Sequence, residues 1–381
     1  MNITAIIPTY NEYDNINQII QALDQVRHQL THHKFEVLFV DDSSPDGTAE
    51  LIKKHQKAHP WIHLLLRPQK QGLGAAYAAG MRYAMAKLKA DALIELDGDF
   101  QHDPRDIKRL VAEFDQGYDY VIASRYINGG SIPPGWELVR KLLSVAGNYV
   151  ARALLFLPQI HDVTGGFKLT RVKGYGDHLH LDQLISQSFA YKIQLLHETV
   201  QLGAKVKEIP IQFAPRATGE SKIIKNEIFE TLRVILILQS RNPKIIQFFK
   251  FGIVGFIGYL VQAISLQIFS NLQFSELFIW GGSAELAIIS NFTINNLWTF
   301  KHQKISGFGK LMTKFTHFNI SSIGAIIIQI VAGRLLVSAF GPQYRQLYLP
   351  LIIAVLIIPY NYLMYTKFIW KTKNETNTTL S

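Results

Sequence analysis

No cysteine occurs among the 381 residues, which excludes a disulfide framework, a thiolate metal site and a catalytic thiol. Charge is scarce too: Asp, Glu, Lys and Arg make up 18% of the chain against 48% hydrophobic residues, too apolar a balance for an ordinary soluble protein. The shortage is uneven. Up to about residue 222 charged and apolar residues mix as in a globular domain, whereas Phe248 to Trp370 is a series of long apolar runs. The charge that exists leans basic, a net +10 from 39 Lys and Arg against 29 Asp and Glu. No stretch interleaves those basic residues with aromatics, so no nucleic-acid partner is expected; an anionic membrane surface and phosphorylated ligands account better for the excess. The opening MNITAIIPTYNEYDN lacks a basic n-region and turns polar at once, so no cleavable signal peptide is expected and the first half should stay in the cytosol.

Short apolar runs alternate with amphipathic stretches through that first half. Strands are predicted at Ile3–Pro8, 35–42, Ile62–Leu66, Ala92–Leu96 and Tyr120–Ala123, with helices over 15–30, from Thr48, and over 74–88 between them. Such alternation predicts an α/β domain with a mainly parallel, Rossmann-like sheet covered on both faces. Ligands bind such sheets at the carboxyl ends of the strands. Three of those ends read IIPTYNE, VDDSSPDGT and LDGDFQH, all rich in oxygen ligands and turn residues.

Each has a plainer alternative. Asp46-Gly47-Thr48 is accounted for by a turn and a helix N-cap, which leaves Asp41 and Asp42 at a buried strand end unexplained. The glycines of QGLGAAYAAG (71–80) suit close packing better than a phosphate loop. Asp103-Pro104 fits an N-cap, but Asp97, Asp99 and Gln101 do not. Asp97 and Asp99 lie two apart and so face one side of an extended chain. Two carboxylates and an amide are the hard oxygen donors that Mg²⁺ or Mn²⁺ takes, with coordination positions left for water and a diphosphate.

The segments IIPTYNE, VDDSSPDGT, DGDFQH, ASRY and RATGESK stand in the order and spacing of the inverting family 2 glycosyltransferases with the GT-A fold, and the chain resembles in particular the polyprenyl-phosphate (dolichol-phosphate) mannose synthases. The resemblance implies that Pro8, Tyr10, Glu12, Val40 and Asp42 line the base and ribose pocket of a sugar nucleotide. It implies that Gly98 lets the backbone approach the nucleotide, and that Asp97, Asp99 and Gln101 hold a divalent cation on the donor diphosphate. Arg216 and Lys222 would close on that diphosphate from a loop, while Arg125, Arg140 and Ser144 would cradle the acceptor phosphate. Asp162, in HDVTGGFK, would either orient the sugar or only order the turn before Gly165-Gly166. The implied reaction is transfer of mannose from GDP-mannose to dolichyl or polyprenyl phosphate. A lipid monophosphate, with a second pKa of ~6, is already mostly ionised near neutrality, so no dedicated strong base is expected.

The second half predicts an all-α membrane domain. A helix needs ~20 apolar residues to cross the hydrocarbon core, and four segments qualify: about 248–269, 277–298, 315–340 and 347–369. The central connection, KHQKISGFGKLMTK, carries four lysines and no acid, whereas NLQFSE has no basic residue and GPQYRQ has one. That asymmetry puts both termini in the cytosol of a multi-pass protein, in a prokaryote's cell membrane. The expected domains are therefore a GT-A domain over 1–222, an interfacial amphipathic helix within 223–245 and a membrane domain over 246–381. The last, with its FKFGIVGFIGY opening, resembles the GtrA-like membrane proteins. Glu285 and Arg334, charged residues inside predicted spans, are expected either to pair near the outer leaflet or, for Arg334, to reach the surface alone. A UDP-sugar donor, a lipid-linked sugar translocator or scaffold with an inactive synthase domain, and assembly into a homo-oligomer all remain open at this stage.

Overall fold

The computed structural model describes residues 1–133, 135–136, 138–214, 225–341 and 344–370, and the chain divides into two compact units, Met1–Gln239 and Ser240–Ser381.

The first unit is built on one seven-stranded sheet: β1 (Asn2–Thr9), β2 (Lys34–Asp41), β3 (Ile62–Leu66), β4 (Ala92–Glu95), β5 (Tyr120–Ser124), β6 (Lys168–Arg171) and β7 (Val206–Pro210), in the order β3-β2-β1-β4-β6-β5-β7. Helices α1 (Tyr13–Gln29), α2 (Thr48–Ala58), α3 (Leu73–Ala86), α4 (Ile107–Asp115), α5 (Leu138–Leu154), α6 (Tyr191–Gln201) and α7 (Lys225–Ser240) accompany it. Alternation along β1 feeds two cores, because successive side chains leave a strand on opposite faces. Ile3, Ala5 and Ile7 pack with Ile16, Ile19 and Leu23 of α1, whereas Ile6 packs with Val40 and with Tyr77 and Met81 of α3. The glycines before and within α3 serve close approach. A Cβ on Gly80 would fall 2.6 Å from Ile6 Cγ2 and 2.9 Å from Val40 Cγ2, and one on Gly74 would strike the Tyr191 ring.

Neighbouring strands among β1 to β4 run parallel, but β6 enters antiparallel between β4 and β5. Its register, Glu95 opposite Lys168, sets the loop before β6 beside the carboxyl end of β4. Helix α7 lies within the segment expected to be interfacial, and its inner face belongs to the first unit: Val234, Ile235 and Leu238 are buried with Tyr120, Ile122 and Leu155. Phe229 and Leu236 on its other face are exposed.

The second unit is helical. Helix α8 (Pro243–Asn271) begins with proline at its first turn, and Asn242 Oδ1 accepts from the Lys244 amide at 3.0 Å. Helix α9 (Glu276–Ile294) runs into a π-helical turn over Asn295–Thr299, and α10 covers Phe308–Phe340. The last helical stretch comprises α11 (Arg345–Ile352), a π turn, α12 (Ile358–Met364) and a second π turn ending at Ile369. Helices thus occupy all four segments expected to span; among the described residues one, Pro243–Asn271, is long and apolar enough to cross a membrane by length and composition. The core is aromatic: Phe300 stacks on Trp370 with centroids 4.4 Å apart and planes 6° apart, beside Phe251, Phe292, Phe318 and Tyr365. Asn296 fixes one end of it, accepting from the Ile305 amide at 2.7 Å and Trp370 Nε1 at 3.0 Å while donating to Ile305 O. The side chain of Arg334 lies outside the described residues, and with it the expected pair with Glu285.

Candidate active site

Three of the parallel strands end in turns that hold a residue in the left-handed region: Asn11 (φ 60°) after β1, Ser43 (φ 56°) after β2 and Phe100 (φ 59°) after β4. Non-glycine residues enter that region at a cost, and such costs concentrate at functional sites.

After β2 the two acids divide their roles. Asp41 orders the turn, accepting from Thr9 Oγ1 at 2.9 Å, Ser44 N at 2.9 Å and Ser44 Oγ at 2.6 Å. Asp42 pairs with Arg67 Nη1 at 2.8 Å, and Arg67 Nη2 reaches Gln71 Oε1 at 2.9 Å. Burial nonetheless raises the Asp42 pKa above the ordinary value, with Arg67 acting against it. Tyr10 is exposed and lies beneath the Lys70 ammonium, 3.9 Å from its ring centroid. Glu12 accepts from Asn15 Nδ2 at 2.7 Å, and Pro8 is half-buried. Val40, also expected at the base pocket, is wholly buried against Gly80.

After β4, Asp97 Oδ1 accepts from Tyr77 OH at 3.0 Å, and Asp97 Oδ2 lies 3.6 Å from His102 Nδ1. Asp99 Oδ1 accepts from the Gln101 amide at 3.1 Å. Gln101 is tied both ways to Ala214, whose amide donates to Gln101 O at 3.0 Å. A Cβ on Gly98 would make only ordinary contact, 3.4 Å from Ile7 Cγ2, so the protein itself does not require glycine there. Gly166 differs: a Cβ would run into Lys192 Nζ and lie 3.3 Å from His102 and 3.4 Å from Asp97 Oδ2. The glycine pair before β6 thus brings Asp97, His102 and Lys192 around one point.

Behind these residues lies buried charge. Glu95 is 1% exposed; it accepts from Tyr191 OH at 2.6 Å and lies 3.4 Å from Lys168 Nζ. Burial lowers the Lys168 and Lys192 pKa values below the usual lysine range, with Glu95 opposing it most at Lys168 and Asp97 at Lys192. Among the described residues Lys192 forms no ion pair within 4.0 Å, and its buried side-chain nitrogen lies beside the Asp97 turn. His102 is buried between the Phe167 and Phe213 rings, and burial pulls its pKa down to about 4, which keeps it neutral.

Arg125, after β5, is locked to Asp162: Nε and Nη2 each donate to one carboxylate oxygen at 2.8 Å, and its amide donates at 3.1 Å. Nη2 also reaches Thr164 Oγ1 at 2.9 Å. Burial works against the Asp162 charge, yet Arg125 holds its pKa below the ordinary carboxylate value. Both Asp162 oxygens are thus committed to Arg125. Arg140 and Ser144 sit on α5, Arg140 over the Trp136 ring at 3.9 Å and Ser144 Oγ 2.6 Å from Tyr126 OH. Arg216 and Lys222 lie outside the described residues.

Lys168 and Lys192 carried no sequence signal as site residues, whereas Glu95 and His102 flank the Asp97–Gln101 turn in the chain itself. The antiparallel insertion of β6 sets Lys168 opposite Glu95, and α6 carries Lys192 to the same place beside Gly166. Two carboxylates and an amide on one turn are the hard oxygen donors a divalent cation takes, and among the described residues no group of three or more His, Asp or Glu is placed to hold a metal.

The chain matches the family described as glycosyl transferase family 2 over residues 4–179 and the GtrA/DPMS transmembrane domain over residues 250–370; the second match makes it membrane-associated. A dolichol-phosphate mannosyltransferase of Pyrococcus furiosus is 32% identical over 337 residues, 87% of this chain and 89% of the relative. An undecaprenyl-phosphate mannosyltransferase of Micrococcus luteus is 35% identical over 58% of this chain and 88% of its own length. Among solved structures, the mannosyl-3-phosphoglycerate synthase of Rubrobacter xylanophilus aligns with a TM-score of 0.46 at 15% identity, over 63% of this chain and 74% of that one.

Proposed function

Since the chain belongs to the family 2 glycosyltransferases that carry a GtrA/DPMS membrane domain, in the line of dolichol-phosphate mannosyltransferase, we propose that it transfers mannose from GDP-mannose to a polyprenyl phosphate with inversion at the anomeric carbon. The observation that carries this reading is the 32% identity extending over 337 residues, long enough to include both units. The base and ribose rest against Pro8, Tyr10, Glu12 and Asp42. Gly98, where the protein alone would tolerate a side chain, leaves room for the nucleotide. Asp97, Asp99 and Gln101 hold Mg²⁺ or Mn²⁺, which when bound supplies Lewis-acid stabilisation of the leaving diphosphate. Lys192 adds a second positive charge on the donor side of the Asp97 turn, and Arg216 and Lys222 close over the diphosphate.

The acceptor needs no strong base, because its phosphate oxygen is already ionised. Its difficulty is approaching another anion. Arg125 and Arg140 answer that difficulty by charge-assisted hydrogen bonds to the phosphate, with Ser144 beside them. Buried, neutral His102 is a poor proton acceptor at neutral pH, in keeping with a reaction that removes no proton from the nucleophile. The membrane domain crosses the bilayer four times with both termini in the cytosol, and the exposed apolar face of α7 rests on the cytosolic leaflet. Incubating membranes that contain the protein with labelled sugar nucleotides and a short polyprenyl phosphate tests the reading. Label should enter the lipid from GDP-mannose; labelling by UDP-glucose alone would replace mannose with glucose.

A further inference from the structure

We propose that Asn148 and Glu208 are positioning residues for the acceptor phosphate, holding Arg125 in place through a closed ring of hydrogen bonds. The proposal rests on reading Arg125, Arg140 and Ser144 as the acceptor cradle.

The ring can be followed atom by atom. Arg125 is fixed by Asp162 through its fork and its amide. The backbone around Asp162 is gripped from two elements. From β7, Glu208 Oε1 accepts from the Asp162 amide at 2.9 Å, while Oε2 accepts from the His161 amide at 2.8 Å and lies 2.8 Å from His161 Nδ1. From α5, Asn148 Nδ2 donates to His161 O, and Asn148 Oδ1 accepts from the Val163 amide at 3.0 Å. Asn148 is one helical turn beyond Ser144, and Ser144 Oγ meets Tyr126 OH at 2.6 Å. Tyr126 follows Arg125 in the chain, which closes the circuit.

A turn needs no such arrangement merely to fold. Asn148 is 3% exposed and the Glu208 side chain 9%, and burying an amide or a carboxylate costs free energy unless each polar atom is satisfied. Asn148 bonds backbone at His161 and Val163, and Glu208 bonds the His161 and Asp162 amides together with the His161 ring, so both grip residues 161–163, the three centred on Asp162. A guanidinium–carboxylate pair is directional. Fixing Asp162 therefore fixes which edge of Arg125 faces outward, and Nη1 takes no part in the bonds to Asp162 or Thr164. Because the same circuit passes through α5, it also sets Ser144 and the helix that carries Arg140 relative to Arg125. Two acceptor groups from distant parts of the sequence are thereby held as one frame.

The test uses the full chain in nanodiscs, with Glu208→Gln, Asn148→Leu and the milder Tyr126→Phe, which opens the circuit at Ser144 and leaves both grips on residues 161–163 in place. Apparent KM for a short polyprenyl phosphate and for GDP-mannose, acceptor-independent hydrolysis of GDP-mannose, and thermal midpoint are measured together. Loosening such supporting contacts typically costs about 10-fold or more. The acceptor KM should rise by about that factor in Glu208→Gln and Asn148→Leu, and less in Tyr126→Phe, while donor KM and hydrolysis hold. Donor and acceptor KM rising together while the thermal midpoint falls would make these residues structural only and overturn the proposal. An unmoved acceptor KM in all three variants would do the same. Arg125→Lys separates the two layers. If it raises the acceptor KM while the ring variants do not, only the ring is wrong; if it leaves that KM alone, the acceptor reading falls first.

Discussion

The two units bury polar groups in opposite ways. In the first, charge goes inside: Glu95, Lys168, Asp162 and Lys192 are all at most 6% exposed, and most of them meet an opposite charge or a phenol. In the second, the buried polar side chains among the described residues are neutral, Asn295, Asn296, Ser283, Thr299 and Ser321 among them. Where lipid surrounds a fold, unpaired charge is expensive, and uncharged amides and hydroxyls take its place. The cores differ to match, aliphatic around the sheet and aromatic in the helical unit. The first unit arranges charge to do chemistry; the second arranges amides to fix where its helices end.

The largest effect should come from Asp99→Ala. Losing a preorganised electrostatic group at a leaving anion costs on the order of 10²–10³ in rate, and a metal ligand at this turn should cost at least that, with metal-dependent nucleotide binding lost in calorimetry. Turnover that persists in the presence of a chelator would remove the metal from Asp97, Asp99 and Gln101. Next, Asp162→Asn leaves the Arg125 guanidinium buried without its counter-charge, a change that costs about 3–5 kcal/mol. Denaturant unfolding of the full chain should show the first unit losing that much. Asn296→Leu in the second unit deprives Trp370 Nε1 and the Ile305 amide of their acceptor; leaving such groups unsatisfied costs about 1–3 kcal/mol, and turnover per folded molecule should hold. A loss as large as that of Asp162→Asn would erase the distinction between charged and neutral burial.

How much of this was legible beforehand follows the same division. Five strands were legible because runs such as FEVLFVD are apolar and bounded by turns. Strands β6 and β7 were not, since KLTR and VKEIP carry charge that reads as surface; Lys168 is buried all the same, because β6 pairs it with Glu95. The Asp97–Gln101 turn drew attention because its carboxylates repel one another and follow directly on an apolar strand. Lys192 and Asn148 were not, as an isolated Lys or Asn on a helix announces nothing until the fold turns it inward. In the helical half, hydropathy located the helices but not the Asn296 clamp or the π turns, which depend on contacts between distant segments.

The smallest expected effect bears on α7, where the two kinds of surface meet on one helix. Val234 is fully buried in the first unit, whereas Phe229 is 69% exposed. An exposed substitution with no partner to lose changes stability by no more than about 0.5 kcal/mol, while removing a buried valine side chain forfeits about 1.5–3 kcal/mol of transfer free energy. Val234→Ser should therefore lower the unfolding midpoint measurably, and Phe229→Ser should leave it where it was. Equal losses would mean that Phe229 has a protein partner, and the outer face of α7 would then not be a surface for lipid. If only Val234→Ser destabilises, the helix has a packed inner side and an unpartnered apolar outer side, the condition a leaflet-bound helix must meet.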